Sequence, residues 1–400
     1  WVGVDFDLTP LLHDVRQNLA NNSTHSRDGD ELAAWLREQL PLAFTGATNA
    51  PATLANTNAP NAPGFVGTPY RFTFASYFPK PSLPRDNPLS VEGVALGRQL
   101  FHDPLLSRGE RQSCASCHAA ASGTVDAGRA FSVGVDGLPG KRNAMPLYNL
   151  AWKSEFFWDG RAPSLRQQAL MPIQDELEMH ETLANVVEKL RASRKEKVES
   201  RESRVELASA SANGPSTLEP RPSTNYPALF AAAFGTPEIS AERVGLALEQ
   251  FLLTLTSFDA KFDRVMRGEA KFTEQEQRGF ELFHTEHDPR RGLYGADCFH
   301  CHGGPLFQSV AFANNGLDRA PLDVGRERVT GRASDRGKFA VPSLRNVELT
   351  SPYMHDGRHR TLEDAVFHYV RGVQRSETLD PNLAKHPAGG IPFPRPDLEA

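Results

Sequence analysis

Residues 114–118 read CASCH and residues 298–302 read CFHCH, two CxxC pairs that are each followed directly by histidine. Two thiols at this spacing reach the two vinyl groups of a haem, and the adjacent histidine supplies the proximal nitrogen of a covalently attached c-type haem. The two pairs use every cysteine of the chain. The predicted attachment and ligand residues are Cys114, Cys117, His118, Cys298, Cys301 and His302.

The alternative is a four-cysteine zinc site or a pair of short disulfides, because zinc ribbons also use CxxC twice. Neither requires a histidine directly after both pairs, and zinc ribbons do not usually separate their halves by about 180 residues. We therefore favour two c-type haems, whose attachment predicts an exported protein in a periplasm-like compartment. The chain starts at Trp1 without a basic-then-apolar leader, which we interpret as a processed or trimmed sequence.

The sequences that flank the two motifs are similar to each other. LGRQLF (96–101) precedes the first motif as RGFELF (278–283) precedes the second, and Asp-Gly-Arg follows at 159–161 and at 356–358. Each Asp-Gly-Arg begins ten residues after an asparagine and is followed by helix-like sequence. Self-similarity of this kind predicts two related domains.

The predicted fold is mainly α-helical, with two duplicated cytochrome c-like domains. Residues 1–66 form an N-terminal extension and linker, with one helix expected over Asp30–Leu42. The first domain covers 67–230, with a polar insertion near 192–225, and the second covers 231–400. The 31 glycines and 30 prolines favour short elements between many turns.

Composition and charge exclude several classes of protein. With 39% hydrophobic and 23% charged residues, the 400-residue chain has the composition of a soluble globular protein. The most apolar run, 244–258, is interrupted by Glu249 and Gln250, so we expect no membrane span. A net charge of −5 gives no overall field for nucleic acid.

The distal side of the first haem is expected to be open, since no histidine occurs between His118 and His180. Methionines are the strong iron ligands that this segment offers. A haem that cleaves peroxide also needs an acid/base group to move a proton between the two oxygens, and glutamates follow later in the segment. On composition alone, those glutamates are better interpreted as solvated surface charges. The candidates are Met145, Met171 and Met179 as ligands, and Glu176 and Glu178 as acid/base groups.

The chain carries a series of motifs in unbroken order: GRQLFHDPLLS, CASCH, RNAMPLYN, FFWDGRA, PIQDELEM, CFHCHGG, VPSLRN and LTSPYMHDG. They resemble the bacterial di-haem cytochrome c peroxidase/MauG family over about residues 85–180 and 235–375, and the MauG/MbnH-like branch most closely. The resemblance implies two cytochrome c-like domains that each wrap one haem and pack together around a calcium ion. It also implies hydrogen peroxide as a substrate.

The resemblance assigns roles to individual positions. Trp158 is similar to the tryptophan that relays electrons between the haems of the family, although a core aromatic would also fit. Glu178 and Pro172 have the spacing of the distal glutamate and distal proline, which reverses the composition-based interpretation of Glu178. Oxygen ligands suit calcium. The implied inter-haem calcium ligands are Asn143, Thr350 and Pro352, the last two through their carbonyls.

Two departures point toward MauG. Peroxidases that need reductive activation have a blocking histidine in the loop before Arg-Asn, where this chain has Val135. Fourteen residues after His355, where ordinary members supply a methionine ligand, it has Tyr369. Tyrosinate favours ferric iron, so the second haem should have a low potential. Met354 or His368 is the alternative ligand if Tyr369 is a core aromatic.

These features lead to three functional hypotheses. In the first, peroxide oxidises both haems to a high-valent state, which then oxidises a tryptophan or tyrosine of a partner protein. In the second, the chain is a cytochrome c peroxidase that reduces peroxide to water with electrons from a small redox protein. In the third, it is a non-enzymatic electron carrier, which the open distal face disfavours. We favour the first.

Overall fold

The computed structural model describes residues 65–193 and 224–392, together with the backbone of a strand at 52–55. The helix expected over Asp30–Leu42 and most of the polar stretch 192–225 lie outside the described residues. The described part of the chain is rich in helices, as expected for a mainly α protein. Its helices are α1 Val91–His102, α2 Cys114–Cys117, α3 Leu165–Gln174, α4 Leu183–Ala192, α5 Tyr226–Phe234, α6 Ala241–Leu253, α7 Lys261–Met266, α8 Glu274–His284, α9 Glu327–Thr330, α10 Leu362–Phe367 and α11 Pro381–Ala384.

The strands in the described part of the chain are short and form antiparallel pairs. One strand, at 52–55, lies inside the predicted N-terminal extension and linker, residues 1–66. It pairs with residues 71–74, Ala52 with Phe74 and Ala55 with Arg71. None of the helices within the described ranges is both long and apolar enough to cross a bilayer. The strands are β1 Ala52–Ala55, β2 Arg71–Phe74, β3 His287–Asp288, β4 Leu293–Tyr294, β5 Phe312–Ala313 and β6 Phe339–Ala340.

The main hydrophobic core lies between α1, α3, α5 and α6. Helix α1 begins at a serine cap, because the Ser90 hydroxyl accepts a hydrogen bond from the Gly93 amide at 2.9 Å. Its inner face buries Leu96 and Leu100, which are 1% and 0% exposed. A Cβ at Gly97 would collide with the Ala247 carbonyl, so glycine allows α1 and α6 to pack closely.

Helix α6 follows the predicted domain boundary at residue 230, yet it packs on the helices of the first half. Its buried residues include Val244, Leu248 and Leu252, which belong to the same core as Leu96. This packing favours a division between the two domains after Leu253. The division stays a prediction.

The duplication seen in the sequence recurs in the backbone. Asn149 and Asn346 both adopt left-handed conformations, with φ of 57° and 55°, and each begins a short 3-10 turn. A β-bridge then closes a loop around each Asp-Gly-Arg, Phe156 with Ala162 and Tyr353 with His359. The two halves thus form the same turn. In each half, the bridged loop contains the residue directly before the aspartate, Trp158 in the first and His355 in the second.

Candidate haem and peroxide site

The first CxxCH motif forms the short helix α2 and a turn. The His118 Nδ1 atom lies 2.8 Å from the carbonyl oxygen of Thr124, an arrangement in which Nδ1 carries the proton and donates it. Nε2 is then the nitrogen left to bind iron, as in most metal-bound histidines. Burial lowers the pKa of His118, which favours the neutral, ligating form. Cys114 and Cys117 form no disulfide with each other.

A cavity of about 1000 Å³ adjoins this motif. His118 is the one histidine that lines it among the described residues. Met145 and Met179 line the cavity, whereas Met171 is 37% exposed and does not. The expectation of a distal side without histidine therefore agrees with the cavity lining.

Glu178 lies in the wall of this cavity, half-buried. Burial raises the pKa of its carboxyl to about 7, the nearby Asp175 carboxylate adds to the increase, and the Arg161 guanidinium opposes it. A carboxyl group that titrates near neutral pH can both accept and return a proton. Glu176 also borders the cavity but is exposed. Of the two candidates, Glu178 has the environment of an acid/base group.

The end of α3 positions Glu178. Pro172 lies inside the last turn of this helix, which ends at Gln174. The chain then turns back, since the Glu178 amide donates to the Asp175 carbonyl at 3.0 Å and the Met179 amide donates to the Pro172 carbonyl at 3.1 Å. Pro172 and Glu178 both line the cavity, as their predicted distal roles require.

The loop that contains Val135 packs against the segment of Glu178. The Val135 amide donates to the Glu178 carbonyl at 2.8 Å, and Arg111 donates to the Val135 carbonyl at 3.0 Å. A Cβ at Gly134 would collide with the carbonyls of Leu177 and Glu178, so glycine is needed for this approach. The loop is therefore fixed beside the distal segment by backbone contacts.

The second CxxCH motif repeats the histidine arrangement of the first. The His302 Nδ1 atom lies 3.1 Å from the Pro342 carbonyl and 3.3 Å from the Phe307 carbonyl. Burial again lowers the histidine pKa. Cys298 and Cys301 form no disulfide with each other.

Tyr369 is the predicted second ligand of the iron at this motif. Burial raises the pKa of Tyr369 to about 12, a hydrogen bond from Asn315 opposes that change, and the nearby Cys301 and Cys298 thiols add to it. A ferric ion would lower this pKa, because a bound cation stabilises the phenolate. Tyr369 stays the predicted iron ligand.

The two alternative ligands differ in availability. The His368 Nε2 atom lies 2.9 Å from the Asn315 carbonyl, so this nitrogen is engaged by the backbone. Met354 lies beside Tyr369, because Asn315 Nδ2 is 3.4 Å from the Met354 sulfur and 3.5 Å from the Tyr369 hydroxyl. Tyr369 stays our prediction, with Met354, or His368 through its Nδ1 atom, as the alternative.

Trp158 lies between the two halves and is 8% exposed. Its indole Nε1 donates to the Asn143 carbonyl at 2.8 Å. Its ring meets that of His355 edge to face, with centroids 6.5 Å apart. It also lines the first-haem cavity, so its position fits a relay between the halves.

The proposed calcium ligands offer the oxygens that calcium prefers. The side-chain Nδ2 atom of buried Asn143 donates to the carbonyls of Arg129 and Ala130, both at 3.2 Å. The side-chain oxygen Oδ1 is then the atom that can bind a cation. The Thr350 and Pro352 carbonyls accept no hydrogen bond within the described residues. This donor set fits the ion, and calcium here stays a prediction.

Similarity to known proteins agrees with this geometry. The family model for di-haem cytochrome c peroxidases matches residues 91–271. The methylamine utilization protein MauG of Methylorubrum extorquens is 37% identical over 300 residues, 74% of this chain and 73% of that protein. The chain belongs to the di-haem cytochrome c peroxidase family. The cytochrome c551 peroxidase of Nitrosomonas europaea is 33% identical over 285 residues, 70% of this chain and 73% of that one.

A solved structure gives the same result. A MauG-like protein associated with microbial copper homeostasis has a TM-score of 0.65 and 31% identity, and the match covers 80% of this chain and 90% of that one. Members of the di-haem cytochrome c peroxidase family are peroxide-dependent oxidoreductases, and membership implies two c-type haems. The relatives include both MauG proteins and peroxidases, so family membership alone leaves the reaction type open.

The sequence did not indicate several residues of the site. Carbonyls of Thr124 and Pro342 orient the two histidines, but any residue supplies a carbonyl, so no sequence signal marks them. Asn315, which bridges Met354 and Tyr369, comes from a distant loop. Gly134 had a weak signal, because glycine in a loop before a motif often marks a close backbone approach.

Proposed function

We propose that this enzyme uses hydrogen peroxide to oxidise a tryptophan or tyrosine side chain of a partner protein. The observation that carries the proposal is the buried environment of Tyr369, whose hydroxyl shares Asn315 Nδ2 with the Met354 sulfur. A tyrosinate ligand stabilises ferric iron, so that haem accepts electrons poorly from a small cytochrome. It is better suited to storing an oxidising equivalent.

The residues of the first site would handle the protons. Glu178 accepts a proton from bound peroxide and returns it to the departing oxygen, which its pKa near 7 permits. Pro172 and the Val135 loop shape the distal side. The bound haems would supply the redox chemistry, and Trp158 would connect them. Over the whole cycle, one peroxide, two protons and two electrons from the partner would give two waters.

The partner would lose two electrons for each peroxide consumed. The expected partner is an exported protein with an accessible tryptophan or tyrosine, since c-type haem attachment predicts a periplasm-like compartment for this chain. The similar MauG-like protein is associated with microbial copper homeostasis, so an exported copper-binding protein encoded nearby is the first partner to try.

The second candidate function is that of a cytochrome c peroxidase. The sequence identity to the Nitrosomonas peroxidase favours it. The deciding experiment adds peroxide to the diferric enzyme with the candidate partner or with a reduced small cytochrome. The proposal predicts an oxidised tryptophan or tyrosine in peptide mass spectra of the partner and slow cytochrome oxidation. Rapid, stoichiometric cytochrome oxidation with an unmodified partner would instead establish the peroxidase.

A further inference from the structure

Three side chains, those of Glu286, Asp297 and His300, form a compact group at the second CxxCH motif. Asp297 directly precedes Cys298, and His300 lies inside the motif. The His300 Nε2 atom is 3.6 Å from Asp297 Oδ1 and 3.7 Å from Glu286 Oε1. One donor atom from each of these three residues lies within 4.8 Å of the other two. Neither the peroxide site nor the predicted calcium site uses them.

These separations match the spacing of ligands around a small cation. Four donors at about 2.1 Å from a zinc ion in tetrahedral geometry lie about 3.4 Å from one another. Two of the three donor separations, 3.6 and 3.7 Å, are close to that value, and the third is within 4.8 Å, so side-chain movement would bring the donors onto a metal. Imidazole together with carboxylate suits divalent first-row transition metals.

A second observation comes from the wall of the cluster. His287 is 8% exposed, and its Nδ1 atom has no hydrogen-bond partner among the described residues. Its ring meets the ring of His386 at 5.4 Å, and His386 Nε2 lies 2.8 Å from Asp297 Oδ2. A buried, unpaired imidazole nitrogen is costly unless it finds a partner. The His386 imidazole therefore adjoins Asp297, and the His287 imidazole packs on that of His386.

The carboxylates of this group already bind a cation, the ammonium of Lys385. Lys385 Nζ lies 3.0 Å from Asp297 Oδ2 and 3.8 Å from Glu286 Oε1. Lys385 is exposed, so its long side chain can swing into solvent when a metal enters. Its charge competes with the metal.

We infer that Glu286, Asp297 and His300 form a binding site for a divalent transition-metal ion beside the second haem-attachment motif. The ion joins the β3–β4 hairpin to the attachment motif, and through Asp297 and His386 it also braces the chain that follows α11. It takes its ligands from three side chains and completes its shell with water or a neighbouring imidazole. The site is independent of the proposed protein-oxidation activity.

The test uses the purified holoenzyme and Zn²⁺, which has no redox chemistry of its own. The holoenzyme is dialysed to equilibrium against micromolar Zn²⁺, with excess Ca²⁺ present to keep the predicted calcium site filled. Elemental analysis then measures the number of zinc ions bound per two irons. The wild type should bind one zinc ion per two irons. His300→Ala should weaken binding about tenfold or more. His102→Ala, which removes an exposed histidine at the end of α1, is the matched control and should bind as the wild type does.

A second variant keeps the test decisive if His300→Ala disturbs the motif. Lys385→Met removes the competing ammonium and should tighten zinc binding severalfold, with both haems still attached. Zinc binding that is absent from the wild type, unchanged in His300→Ala, or not tightened in Lys385→Met would overturn the site.

Discussion

The ring of Trp158 contacts the ring of His355, and the two residues occupy equivalent positions in the duplicated sequence, each directly before Asp-Gly-Arg. Their backbone contacts are reciprocal as well. The Asn143 amide donates to the His355 carbonyl at 2.8 Å, and the Ala340 amide donates to the Trp158 carbonyl at 2.7 Å. Asn143 and Ala340 are also equivalent, each six residues before the asparagine that starts a 3-10 turn. The two halves thus meet with approximate two-fold symmetry around Trp158.

This position makes Trp158 the first relay to test. Trp158→Phe should keep both haems attached but remove the near-infrared band that reports a charge shared between them after peroxide is added. The reason is that phenylalanine is much harder to oxidise than tryptophan. Trp152→Phe is the matched control, because Trp152 is a buried core tryptophan that donates to the Pro79 carbonyl. Loss of the band in both variants, or in neither, would contradict the relay role.

Glu178→Gln should leave both haems attached and slow the reaction with peroxide by about 10²–10⁴-fold, the usual contribution of a positioned acid/base group. Stopped-flow spectra at the haem Soret band measure the rate. Glu176→Gln, a change of the exposed neighbour, should react at the wild-type rate. Equal rates for the wild type and Glu178→Gln would remove Glu178 from its role.

The same residue predicts a pH dependence. The wild-type peroxide rate should rise with pH through about 7 as Glu178 becomes a carboxylate, and the rise should be absent from Glu178→Gln. Stability should change in the opposite direction, because a raised carboxyl pKa stabilises the fold only while the proton is held. Relative to Glu178→Gln, the wild type should lose stability as pH rises from about 4.5 to about 7. Denaturant unfolding at several pH values measures this difference.

Covalent chemistry explains why the attachment residues could be predicted from sequence. CxxCH is a local pattern whose spacing is fixed by the haem itself, and the duplication made both copies visible. The surroundings of Asp297 could not be predicted in this way, because tertiary packing brings Lys385 and His386 to it from almost 90 residues away. The packing of α6 on the first half was missed for the same reason.

Tyr369→Phe should change the spectrum of the second haem and raise its reduction potential, since an anionic oxygen donor would be lost. Met354→Leu, at the neighbouring side chain that shares Asn315, should leave both properties unchanged. Electron paramagnetic resonance of the ferric protein and redox titration provide the two readouts. The reverse pattern, with Met354→Leu altering the haem, would make Met354 the ligand.

Removal of calcium should lower the melting temperature and weaken the coupling between the haems, because Asn143 connects the proposed ion to the indole of Trp158. Chelation with EGTA, followed by return of Ca²⁺ or of Mg²⁺, measures both effects. Calcium should restore them, whereas magnesium should not, since it demands shorter and more regular coordination. A melting temperature unaffected by EGTA, in protein shown by elemental analysis to contain no calcium, would contradict the site.

The most direct test of an open first haem is to mix the fully ferric, never reduced protein with one equivalent of hydrogen peroxide and follow the spectra by stopped flow into the near infrared. Val135 in place of a blocking histidine and a cavity lined by His118 and Glu178 predict a fast reaction. Both haems should lose their ferric signal, and a long-lived near-infrared band should form. A protein that stays inert until one haem is reduced would contradict this prediction and identify a peroxidase that needs reductive activation.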